Sequence, residues 1–132
     1  MLLFQISEVF IRKFIKFVLV GFSGLFVDFG FTYFFKEKVK IQKYVSNALG
    51  FLIAATSNYY FNRIWTYRSA NPQILLEFSE FFLISIIGLG LNTLILWLIV
   101  SKLKWNFYLS KLFAIGFVTI WNFLANTYFT FA

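Results

Sequence analysis

The chain has 132 residues, one domain by length. Apolar residues make up 61% and charged residues 13%, more apolar surface than a soluble fold of this size can hide, so its solvent is largely lipid. The absence of Cys and His excludes disulfides, Cys/His metal sites, thiol catalysis and imidazole acid–base chemistry, and a net charge of +7 suits anionic head groups, a phosphate-bearing ligand, or lysines that only set topology.

In chain order, "MLLFQISEVFIRK" is too short and broken for a signal peptide and reads as an amphipathic lead-in at the interface. Four apolar segments of about 20 residues follow, the length a bilayer core demands of a helix. They are Phe17–Phe35, interrupted by Asp28; Tyr44–Asn62; Phe81–Val100, without charge; and Phe107–Tyr128, with Lys111 near its start. "KEKVKIQK" separates the first two and "SKLKWN" the last two. The middle connection, "RSANPQILLE", holds the single proline, Pro72, and marks the boundary between halves.

The halves resemble each other. Phe14–Tyr67 aligns without gaps on Phe78–Phe131 at an offset of 64. Twelve of the 54 pairs are identical, against about five expected from this composition. Polar identities carry most weight, because amides are costly in lipid: Ser46/Ser110, Asn58/Asn122, Asn62/Asn126 and Thr66/Thr130. Asp28 falls opposite Asn92. The expected fold is an all-α membrane protein, its four transmembrane helices forming two parallel two-helix repeats. Its single domain, 1–132, divides into repeat 1 at 14–67, a linker at 68–77 and repeat 2 at 78–131. Both termini and the middle connection then share one side with Arg12, Lys13, Lys16, Arg63 and Arg68. Seven lysines lie on the other, a distribution that does not decide orientation.

Each span carries one stripe of small and polar residues. Asn47 and Asn58, eleven residues apart, share a helical face, with Asn62 one turn on. Lys111, Asn122 and Asn126 repeat that spacing. Gly21, Gly24, Asp28 and Thr32 line the first span, and Ser85, Gly88 and Asn92 the third. Such stripes serve as glue between helices or as a polar path for a ligand. Asp28 must be protonated, in water, or paired with an Asn or Lys of a neighbouring span. Arg63 is an interfacial anchor or a bidentate phosphate contact, and Lys111 carries the same ambiguity at the opposite interface. Trp65, Tyr59, Tyr60, Tyr67 and Trp121 read as one aromatic belt, or as sugar-stacking surfaces. No enzyme signature, cofactor or metal site is expected. Glu77 and Glu80 read as solvated charges at a helix end.

The endings "NYYFNRIWTY" and "NFLANTYFTF", with "FVLVGFSGLFVDFGF" and "FFLISIIGLGLNTLILWLIV", resemble the GtrA-like family of small bacterial membrane proteins. The specific part is Asn-x-x-x-Asn-Arg-x-Trp-Thr-aromatic. The resemblance implies four spans, cytoplasmic termini and residence in the bacterial inner membrane. It also implies movement of polyprenyl-phosphate-linked sugars across that membrane for envelope polysaccharide glycosylation, alongside a membrane glycosyltransferase. By position it picks out Asp28, Asn47, Asn58, Asn62, Arg63, Trp65, Asn92, Lys111, Asn122 and Asn126 as substrate-binding. The chain departs from the family at Thr127 and Tyr128, where a basic pair is common. That favours a single phosphate contact, or two Arg63 side chains brought together in a homodimer. The leading expectation is a lipid-linked-sugar translocator. Its rivals are a non-transporting adaptor for the glycosyltransferase and a proton-coupled exporter using Asp28.

Overall fold

A computed structural model describes residues 2–132, the side chain of Ile6 excepted. Met1, the first residue of the expected lead-in, lies outside the described residues. The remainder of that lead-in is not a separate interfacial helix. It runs without a break into the first span as α1, Leu2–Tyr33. At 1.5 Å per residue these 32 residues reach about 48 Å, well beyond a hydrocarbon core of about 30 Å.

A π-helical turn, Phe34–Lys38, ends α1. Helix α2 is Lys43–Phe61, α3 is Ile74–Lys102 and α4 is Phe107–Ala125. Among the described residues there is no strand. Three helical segments are long and apolar enough to cross a membrane: Leu2–Lys38, Ile74–Lys102 and Phe107–Thr130. The second expected span, α2, is long enough but more polar. Its buried face includes Ser46, Asn47 and Gly50, so it spends its length on partners more than on lipid.

Local chemistry explains the helix ends. Gln42 caps α2, its side-chain oxygen accepting from the backbone N–H of Tyr44 and Val45. Asn106, 64 residues on, caps α4 through Tyr108 and Leu109 in the same way. Both helices end in π-helical turns, Asn62–Thr66 and Asn126–Thr130. In each, a threonine hydroxyl donates 2.7 Å to the asparagine Oδ1 four residues earlier. Lys40 and Lys104, also 64 apart, both take positive φ in the connections before these helices.

Helix α1 packs along α2, and α3 along α4. Glycines permit the close approach. Asn58 Oδ1 occupies the space a Cβ on Gly24 would need, and Asn122 Oδ1 does the same at Gly88. Helices α2 and α3 close the middle. Phe123 of α4 meets the rings of Phe10, Phe14 and Phe17 of α1 edge-on, at 5.2, 5.0 and 5.5 Å. Long apolar side chains cover the outside, as lipid-facing helices require.

Candidate functional site

The buried polar residues form two clusters with a small cavity between them. The first lies toward the lysine-rich connections. Lys111 Nζ donates to Asp28 Oδ1 at 2.7 Å and to Asn47 Oδ1 at 2.5 Å. Thr32 donates to the same Asp28 oxygen at 3.1 Å, and Asn47 Nδ2 donates to Asn92 Oδ1 at 3.2 Å. One network thus draws a polar group from each of the four helices. Lys111, four residues into α4, is not an exposed anchor; it is wholly buried. In lipid the two charges are tolerable only together, since each alone would face hydrocarbon. Gly50 makes room for them. A Cβ there would meet the Thr32 hydroxyl, the Asp28 carbonyl oxygen and the Asp28 carboxylate.

The second cluster lies toward the termini. Glu77 is not a solvated end charge; it is 1% exposed. Its Oε1 accepts from Arg63 Nη1 at 2.5 Å and from the Tyr59 hydroxyl at 3.0 Å, while Oε2 accepts from Ser69 Oγ at 2.5 Å. Arg63 Nη2 donates to the Asn71 carbonyl at 2.9 Å. The guanidinium therefore ties the α2–α3 connection down onto Glu77. Tyr59, expected in the interfacial belt, is buried as part of this cluster. Beside it, Tyr67 and Phe131 stack with ring centres 4.2 Å apart and planes at 8°. The Tyr67 hydroxyl bonds Thr127 Oγ1 at 2.8 Å.

Between the clusters is a cavity of about 60 Å³, reached by side chains of all four helices, including Asp28, Asn58, Asn62, Ser85, Thr119 and Asn122. That is room for a few waters. Asn58 Oδ1 and Asn122 Oδ1, packed against Gly24 and Gly88, are buried without a hydrogen-bond partner. Asn92 Nδ2, in the first cluster, is likewise unpartnered.

The ten residues picked out from sequence thus divide. Asp28, Asn47, Asn92 and Lys111 share the first cluster, while Asn58, Asn62 and Asn122 line the cavity with Asp28. Asn126 is fully buried and binds Thr130 and the Asn122 carbonyl of its own helix. Arg63 belongs to the second cluster, and Trp65 is partly exposed on the lipid-facing surface. Sequence reasoning missed Glu77, Ser69 and Gly50. One signal was available for the second cluster: Tyr59 and Arg63 are four residues apart and share a helical face.

The profile of the GtrA/DPMS transmembrane domain matches residues 16–131. The chain belongs to the GtrA/DPMS transmembrane-domain family. The match spans both clusters, the cavity and α2 to α4, so the buried polar architecture lies within the shared domain, while the first part of α1, residues 2–15, falls outside it. No curated protein matches the chain. Membership makes it a GtrA-like membrane protein and is consistent with a part in handling lipid-linked sugars.

Proposed function

We propose that the protein translocates a polyprenyl-phosphate-linked sugar across the bacterial inner membrane, for glycosylation of an envelope polysaccharide. The observation that carries this reading is the small cavity lined by polar side chains from all four helices, Asn58 and Asn122 among them. Amides offer hydrogen bonds to sugar hydroxyls without a fixed charge, which suits the uncharged sugar portion passing through lipid.

In this reading α1–α2 and α3–α4 are two parallel repeats and all four helices cross. The recurrence of caps, π-helical turns, positive-φ lysines and glycine–asparagine contacts at an offset of 64 supports it. Most polar bonds between halves gather at the two clusters, on either side of the cavity. The clusters act as clamps. Opening one while the other holds exposes the cavity to a single side, the logic of alternating access. A cavity of about 60 Å³ means that the halves must part for a sugar to pass. A homodimer would help enclose it. Opening of the terminal-side clamp releases Arg63 from Glu77 and frees a guanidinium for the lipid phosphate.

A second reading is a non-transporting adaptor that holds a glycosyltransferase at the membrane. The closed packing favours it, because Arg63 and Lys111 are both already bonded within the fold.

The test is scrambling of a polyprenyl-phosphate-linked hexose in vesicles reconstituted with the Asn58→Ala, Asn122→Ala double variant. These changes remove both cavity-lining amides and add no bulk. Translocation predicts at least a tenfold loss of rate with the fold intact by size-exclusion chromatography. Unchanged scrambling sinks the cavity route.

A further inference from the structure

Two grooves open sideways to lipid near the terminal-side interface. The first, of about 520 Å³, lies between α1 and the end of α2 and is lined by Leu19, Val20, Ser23, Phe61, Ile64 and Trp65. The second, of about 410 Å³, lies between α3 and the end of α4. Five of its lining residues, Leu83, Ile84, Ile87, Ala125 and Phe129, stand 64 positions after residues of the first. The two grooves are therefore counterparts in shape and place.

Their mouths differ in charge. Above the first, Lys16 Nζ stands over the Trp65 ring, 5.5 Å from its centre. Among the described residues Lys16 is in no ion pair. Lys13, one turn back, sits 5.8 Å over Tyr67. The position equivalent to Lys16 is Glu80, which lines the second groove, and the position equivalent to Lys13 is Glu77, already bound by Arg63. The indole presents its face to Lys16 and holds the ammonium at the groove mouth. The lysine stem lies along apolar surface while its head reaches the level of lipid phosphates.

We infer that the α1–α2 groove is a binding site for one anionic bilayer phospholipid, its acyl chain along Leu19, Phe61 and Ile64 and its head group on Lys16. The α3–α4 groove also has an apolar wall but turns such a lipid away, because Glu80 meets the head group with like charge. The occupant follows from charge complementarity: an apolar trough capped by an unpaired cation fits a tail with an anionic head, and its twin capped by a carboxylate does not. The site is separate from the central cavity and holds for a translocator and an adaptor alike.

Photolabelling tests it without any transport step. The protein is reconstituted in phosphatidylcholine vesicles containing a few mole per cent of diazirine-bearing phosphatidylglycerol, and in matched vesicles carrying the same diazirine chain on phosphatidylcholine. The expected result is about fivefold more phosphatidylglycerol label on the Phe61–Trp65 segment than on the Ala125–Phe129 segment, with phosphatidylcholine labelling both alike. Lys16→Glu removes the excess. Glu80→Lys raises the second segment to the level of the first, a gain that misfolding cannot produce. Equal phosphatidylglycerol label on the two segments of the wild type, or a Glu80→Lys variant without gain, would overturn the assignment.

Discussion

Lys111 of α4 and Asp28 of α1 meet at 2.7 Å, their side chains 0% and 5% exposed, and join the first and last helices in the buried interior. Neither charge has another counter-ion among the described residues. The pair therefore behaves as one unit. Lys111→Met alone leaves a buried carboxylate without its cation and costs about 3 kcal/mol or more. Asp28→Asn combined with Lys111→Met recovers most of that loss. Thermal unfolding in detergent of the wild type, both single variants and the double variant gives the coupling. Additive losses would mean the pair is not formed.

Glycines divide by what surrounds them. Gly50→Ala would push a Cβ into the Asp28 carbonyl oxygen at 2.6 Å and the carboxylate at 2.9 Å. Backbone cannot yield as a side-chain tip can, so a loss of about 1–3 kcal/mol is expected. Gly90→Ala and Gly116→Ala meet nothing within 4 Å and are expected to be neutral. A lowered melting temperature for Gly50→Ala alone is the predicted pattern; equal shifts in all three variants would contradict it.

The α2–α3 connection is held by Glu77 through Ser69 and Arg63, and by Arg63 through the Asn71 carbonyl. Glu77→Gln removes the charge that organises these bonds. Trypsin should then cut after Arg68, which is exposed, several times faster than in the wild type. Arg63→Ala should do the same, and cutting at unchanged rate in both variants would show that the connection is held by something else.

The chain has no cysteine, so single cysteines can be introduced without background. If α2 crosses the membrane, Lys40→Cys and Lys104→Cys label from one side of sealed vesicles and Ala70→Cys from the other. Labelling of Lys40 and Ala70 positions from the same side would mean that the more polar α2 does not span.

Much of the fold was legible because lipid makes polar residues conspicuous. Asp28 demanded a partner in sequence, and Lys111, the one lysine inside a span, was available to supply it. The asparagine–threonine repeats marked both helix endings, though their π-helical form is a matter of backbone geometry and has no periodic signature. The second cluster was hidden for a topological reason. Glu77 stands 14 residues from Arg63, and only the fold-back of the connection brings them together. The continuity of α1 was obscured by charged residues at 8, 12, 13 and 16, which break the apolar run without breaking the helix. Burial of Tyr59 could not be told from interfacial placement, since a tyrosine near a span end satisfies both.

Translocation is tested most directly by wild-type protein in sealed vesicles carrying a polyprenyl-phosphate-linked hexose on both leaflets. The readout is the fraction of the total lipid-linked hexose that becomes accessible to an external sugar-modifying reagent. The account predicts that nearly all of it becomes accessible, at a rate that rises with protein content, while vesicles without protein stop near one half. A plateau at one half in the presence of folded protein would contradict translocation and leave the adaptor reading in its place.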